Sequence, residues 1–374
     1  PKLEGNAQPS SNYEDDKKMK AVRAEKNISL FLNHHANKVN MKDGRIESVV
    51  AVDTETNVKR SFSAPLFADC TGDATIGLLA GAKYLTGRES AEEFGEETAP
   101  EEADNLTMGS SVQWFAEDKT KPVAFPDILW GLPWDEEKAE HLIRGDWNWE
   151  TGMGIDQVNE FERIRDYGLL VVYSNWSFLK NHSIDKNKFE KRQLKWVAYI
   201  AGKRESRRLI GDYILRESDL TEHKVYPDGT APTSWTIDLH YPDPENTKQF
   251  PGTEFKSIAK HTPIHPYPIP FRCLYSQNVP NLMMAGRNIS VSHVALGTVR
   301  VMRTTGMMGE VIGMAASVCQ QKSCEPREIY SIHFEELKKL MQVGTGNSAL
   351  PKIQNYNQGG TLGPKTNSVS SEEN

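Results

Sequence analysis

Apolar and polar positions along residues 28–64 predict a small antiparallel meander. "ISLFLNHH" at 28–35 reads as a strand, "KDGR" at 42–45 as a turn, and "IESVVAVD" at 46–53 as the returning strand. "NVKRSFSA" at 57–64 alternates again and supplies a third strand. "PLFADC" at 65–70 is a short, mostly apolar run of the kind buried inside a parallel sheet. It breaks at Thr71-Gly72-Asp73, and "ATIGLLAGAKY" after it predicts a helix. A strand, a tight glycine turn and a helix present backbone N–H groups and a helix start to a polar or anionic ligand.

The middle of the chain has a different pattern. Apolar residues recur at helical spacing in "DQVNEFERIRDYGLLVVYSNW" (Val158, Phe161, Ile164) and in "FEKRQLKWVAYIAGKRESRRLIGDYIL" (Phe189, Val197, Ile200, Leu215), so both predict long helices. Eight acidic residues from Glu89 to Asp104 predict an exposed linker. A second strand–turn–helix pattern closes the ordered region in "NLMMAGRNISVSHVALGTVRVMRTTGMMGEVIGMAASVC", residues 281–319. Beyond Gly344 the chain is rich in Gly, Asn, Ser and Pro, which predicts disorder.

Composition narrows the classes. The 374 residues suffice for one large domain or two ordinary ones, with ample core. A hydrophobic fraction of 38% is that of a soluble globular protein, and a net charge of -7 does not indicate a nucleic-acid surface. No apolar run is long enough to cross a bilayer, and residues 1–20 carry no signal-peptide pattern. Cys70, Cys273, Cys319 and Cys324 lack zinc or CxxC spacing, and the histidines lack metal-site spacing, so no metal is expected. No GxSxG elbow occurs.

Four stretches carry a resemblance: "PLFADCTGDATIGLLAGAKY", "YIAGKRESRRLIGDYIL", "YPIPFRCL" and the 281–319 motif. With "WTIDLHYPDP" between them, residues 28–340 resemble the FAD-dependent oxidoreductases of the glutathione-reductase-like and fumarate-reductase-like superfamily, in a bacterial branch. The resemblance implies an α/β fold: an FAD/NAD(P)-binding Rossmann-like domain, incomplete at its N-terminus, with an inserted α+β substrate domain. The expected division is a partly disordered leader at 1–27, cofactor segments at 28–104 and 273–343, the insert at 105–272 and a tail at 344–374. The superfamily's GxGxxG turn, which holds the ADP half of FAD, occurs nowhere in the sequence. This predicts a C-terminal piece of a longer oxidoreductase.

Carried over residue by residue, Thr71, Gly72 and Asp73 match the family's second dinucleotide-contacting turn. The blander account makes Asp73 an ordinary N-cap. Ala36 and Asn37 match the segment whose backbone contacts adenine. Gly286, Arg287 and Asn288 match the ribityl-binding turn, where many relatives carry Gly-Asp. Gly297, Thr298 and Val299 are expected to open the final helix, its N–H groups facing the flavin's pyrimidine edge.

His293 follows the ribityl-type turn and is the candidate acid/base, against a structural histidine. Arg300 and Arg303, three apart, are expected on one helix face, to bind a substrate carboxylate or to pair with acids such as Glu310. Alternation places Asp238 and His240 on one strand face; an exposed face is expected, and an inward-pointing pair would be a second candidate site. For Arg204, Glu205, Arg207 and Arg208 a helix with a buried charge network is preferred to phosphate binding.

The function expected is hydride transfer from a small organic substrate to flavin. Two other classes stay open. Trp130, Trp134, Trp147 and Trp149 allow a carbohydrate-active protein, a lyase or sugar binder. A non-catalytic fragment that lost its cofactor is the other. The expected partner is a small-molecule substrate, with neither nucleic acid nor membrane, and a homo-oligomer stays open.

Overall fold

The computed structural model describes residues 14–344. Within them the chain forms two compact units. One takes the residues through Leu32, then Leu106–Glu205 and His240–Ala259; the other takes Asn33–Asn105, Ser206–Leu239 and the chain from Lys260 onward. The segment expected as one insert, 105–272, is thus shared between them.

The second unit holds the meander: β1 (His34–Lys42), β2 (Arg45–Asp53) and β3 (Lys59–Ser63), antiparallel in that order. The turn between β1 and β2 works because Asp43 and Gly44 both take positive φ, 50° and 75°. Strand β2 turns Ile46, Val49 and Ala51 inward. Strand formation starts only at His34; Ile28, Leu30, Phe31 and Leu32 lie outside any strand and are 43–50% exposed. An apolar run without a ladder neighbour has nothing to fix it in β geometry.

The two strand–turn motifs meet. Strand β4 (Phe67–Asp69) pairs in parallel with β5 (Leu282–Met284), Leu282 opposite Phe67 and Met284 opposite Asp69. A parallel pair between segments more than 200 residues apart, flanked by helices, is an α/β arrangement. After β4 comes only a short helix, α1 (Thr75–Leu79), ending where Gly81 turns at φ 72°. Tyr84 and Leu85 then pair with Arg208 and Leu209, so the predicted longer helix is cut. After β5 come α2 (His293–Val299) and the 21-residue α3 (Met302–Lys322).

The first unit is built on helix Phe161–Asn181, whose inner face of Ile164, Val171, Val172, Trp176 and Leu179 is buried. It packs with an aromatic core of Trp114, Trp149, Phe189 and Phe255. Trp114 stacks on Trp149 at 5.9 Å between ring centroids and meets the edge of Trp176 at 5.8 Å. The second predicted helix is not one. Arg192–Val197 is a strand, because its backbone joins a ladder with Trp114–Asp118 that overrides local helical spacing. The part of the leader within the described residues forms helix Asp15–Ala24, and the expected tail beyond Gly344 lies outside them. Among the described residues, no helix is long and apolar enough to cross a membrane.

Candidate functional site

The site begins with Asp69, the last residue of β4 and fully buried. Its Oδ1 accepts from the Thr71 backbone N–H (3.0 Å) and hydroxyl (2.7 Å), and its Oδ2 accepts from Gly77 N–H (2.8 Å). One carboxylate thereby folds the turn 70–73 back over the strand end. Gly72 sits at φ 73°, and a Cβ there would come within 3.1 Å of the Arg287 guanidinium. This glycine permits both the left-handed turn and the approach of the second motif.

Asp73 is not the N-cap. Ala74 occupies that position without a side-chain cap, and Thr71 Oγ1 accepts the Thr75 N–H instead, at 2.9 Å. Asp73 Oδ1 pairs with Arg287 Nη2 at 2.7 Å and accepts the Ser206 hydroxyl at 2.8 Å. Ser206 Oγ in turn accepts from Arg287 Nη1 at 2.7 Å. The turns at 71–73 and 286–288 are therefore tied by an ion pair and a shared hydroxyl.

Gly286 lies at φ 127° and turns the chain out of β5. Asn288 is fully buried, and its Nδ2 donates to Asp69 O at 3.1 Å. Its Oδ1 is buried and has no hydrogen-bond partner among the described residues. Ala36 and Asn37 lie on β1, where the ladder shifts register between Ala36 and Lys38.

The segment after the turn differs from the expectation. Gly297, Thr298 and Val299 do not open a helix; they end α2, which starts at His293 because the Ser292 hydroxyl accepts the Ala295 N–H at 3.1 Å. Gly297 is required by protein, since a Cβ would lie 2.7 Å from the Asp238 backbone nitrogen. Thr298 is occupied too, donating to Ala295 O (2.9 Å) and bonding Tyr267 OH (2.6 Å). The open helix start lies a few residues on. Val301, the N-cap of α3, has no side-chain cap bond, and the first turn has no acidic residue.

Arg300 and Arg303 do not share a helix face, because Arg300 lies between α2 and α3. Its Nη2 pairs with Asp238 Oδ2 at 2.8 Å, and Asp238 is buried rather than exposed. Arg303 stands in the first turn of α3 and is exposed. His293 is 2% exposed, and its backbone N–H donates to Glu89 Oε2 at 2.9 Å.

The acidic stretch also departs from its reading as an exposed linker. Glu89 and Glu96 are buried, at 5% and 2%. Arg208 Nη1 pairs with Glu89 Oε1 at 2.9 Å and donates to Val291 O at 3.3 Å. Glu96 Oε1 accepts the Ser292 hydroxyl and the Glu217 N–H (2.8 Å). Burial, together with the negative charges of Glu89 and Glu217, raises the Glu96 carboxyl above its ordinary range, although the two donors oppose this. The sequence signal for these residues was weak, since only Asp69, two before the turn, has a spacing that suggests its role.

In the first unit, residues 204–205 are not helical, but the charges are buried as expected. Arg204 pairs with the fully buried Glu150 at 3.2 Å, and Glu150 also bonds Ser257 (2.7 Å) and His240. Burial works against the charged Glu150 carboxylate, yet Arg204 and His240 hold its pKa below the usual range. His240 is thereby held in a charge network with its side chain only 10% exposed, and the expected exposed face is overturned there as well. Trp134 and Trp149 belong to the aromatic core, whereas Trp130 is 78% and Trp147 45% exposed. A cavity of about 750 Å³ in this unit is lined by Trp130, Ile155, Leu169, Leu170 and Tyr173, and no residue of the two turns lines it.

The model of a protein family described as FAD dependent oxidoreductase matches residues 16–341. No curated protein and no solved structure matches the chain. A match of that extent, together with the glycine turns it spans, makes this chain a member of the FAD-dependent oxidoreductase family.

Proposed function

We propose that the chain oxidises a small organic substrate with FAD held against the paired turns 69–73 and 286–288. The observation that carries this is Asn288 Oδ1, a buried acceptor with no protein donor among the described residues. Leaving such a group unsatisfied costs about 1–3 kcal/mol, and a cofactor hydroxyl is a donor of the right kind. Gly72 and Gly286, both at positive φ, give the backbone approach that a dinucleotide needs. The residues present therefore fit the cofactor that the family uses.

In this reading Thr71, Gly72 and Asp73 line the cofactor on one side and Gly286, Arg287 and Asn288 on the other. Arg287, where an aspartate is common in the family, neutralises Asp73 and leaves Asn288 as the acceptor. Ala36 and Asn37 are assigned to the adenine end. Gly297, Thr298 and Val299 support the site by packing, and the open N–H groups at the start of α3 take over the electrostatic role first given to them. FAD, when bound, supplies the hydride acceptor for a substrate C–H bond. His293 takes the heteroatom proton that leaves with it. Arg303, a cation where the α3 dipole disfavours one, draws in an anionic group. The sequence has no GxGxxG turn, so the pyrophosphate of FAD is assigned to a βαβ element additional to these residues. The cofactor residues are assigned to a Rossmann-like frame of the glutathione-reductase type.

The test is anaerobic reduction. The chain is loaded at millimolar FAD, and absorbance of the oxidised flavin is followed on adding small alcohols, amines and 2-hydroxy acids. Bleaching by at least one class, slowed in Arg303→Ala through weaker binding, is expected. Binding of FAD without reduction by any class would overturn the reading.

A further inference from the structure

The stretch "GRESAEEFGEE" at 87–97 has the composition of a solvated loop, yet two of its carboxylates are among the best-buried charged groups of the second unit. Both reach the same place, the start of α2. Glu89 accepts the backbone N–H of His293 at 2.9 Å, and Glu96 accepts the hydroxyl of Ser292, the residue that caps this helix. Arg208, fully buried, completes the arrangement by pairing with Glu89 and donating to Val291 O and Gly87 O. Three consecutive residues, Val291, Ser292 and His293, are thus each fixed by a group from this network.

Local helix energetics do not require so much. A seven-residue helix with a serine N-cap already has one of its first-turn donors satisfied, at Ala295. Burying Glu89 and Glu96 exacts a desolvation penalty that the Arg208 pair offsets for only one of them. Glu217, itself 5% exposed, adds a third carboxylate nearby, held by Thr98 through its N–H (3.0 Å) and hydroxyl (2.8 Å). Loops that carry charges at this expense commonly hold neighbouring groups to a fixed geometry. What lies on the held segment is His293, five residues after the paired turn at 286–288.

We propose that Glu89 and Glu96 are positioning residues: with Arg208 they clamp Val291–His293, and so fix His293 and the turn before it for cofactor and substrate. This rests on the reading that FAD lies against residues 286–288. Neither glutamate touches the reacting atoms. Glu89 acts through the His293 N–H and Arg208, and Glu96 through the Ser292 hydroxyl.

Hydrogen exchange on the full chain tests the clamp without any cofactor. In Glu89→Ala, amide exchange over residues 291–296 should rise roughly 10- to 100-fold, the range for losing a hydrogen bond to a charged group, while β2 stays protected. FAD affinity, titrated by flavin fluorescence, should fall by about 10-fold in the same variant. Glu89→Gln keeps an acceptor for His293 N–H and a polar partner for Arg208, and should recover part of both losses. If Glu89→Ala unfolds, seen as exchange rising in β2 as well, Glu96→Leu, which removes the acceptor of the Ser292 hydroxyl, gives the same comparison at Ser292. Unchanged exchange at 291–296 would overturn the clamp. Raised exchange with unchanged FAD affinity would overturn its positioning role. If wild type takes up no FAD at all, the functional reading fails, and exchange still decides whether the clamp exists.

Discussion

Arg300 shows how a residue's partners change its meaning. As a helix-borne cation near a flavin motif it reads as a substrate anchor, but its guanidinium pairs with Asp238, and both side chains are largely buried. Removing one member of such a pair strands the other, which typically costs about 3–5 kcal/mol. Arg300→Ala should therefore be destabilised by that amount in urea unfolding, and Asp238→Asn in the same background should recover much of it. Unchanged stability alongside weakened substrate binding would return Arg300 to the substrate. The motif residues themselves were legible. Thr71, Gly72, Asp73, Gly286, Arg287 and Asn288 do come together, as the Asp73–Arg287 pair shows. Ser206, which joins them, was not legible, because its contact with Arg287 spans 81 residues and no spacing encodes it.

At the scale of elements, the meander and the strand pair β4–β5 follow from alternation and short apolar runs. Errors fall where tertiary contact overrides local pattern. Residues 192–197 have helical spacing but pair with Trp114–Asp118, and Gly297–Val299 close α2 because Ser292 starts it early. The acidic loop was misread for the same reason, since nothing local announces that Glu96 will be buried against Ser292 and Glu217. Its burial has a consequence in pH. The folded-state pKa of Glu96 is raised, so its contribution is fully present below the ordinary carboxylate range and is lost as pH rises through the raised value. Urea unfolding across that window should show stability falling with pH in wild type and a flatter profile in Glu96→Gln. Parallel profiles would show that Glu96 titrates as in the unfolded chain.

For the whole molecule, the family and its cofactor follow from the match over residues 16–341, and the paired turns are the place proposed for FAD. The aromatic core around Trp114, Trp149 and Trp176 explains much of the tryptophan content by packing, which leaves sugar stacking with little support. The unit boundaries at Glu205/Ser206 and Leu239/His240 fall within runs whose composition does not change, so no local signal marks them. The central claim is that FAD lies against the paired turns, with Asn288 Oδ1 as an acceptor. Its most direct test is titration of FAD into wild type and Asn288→Ala, followed by the visible spectrum of bound flavin. The account predicts binding by wild type and an affinity lower by about 10-fold or more in Asn288→Ala, as for a lost buried hydrogen bond. Equal affinity in the two proteins would contradict it.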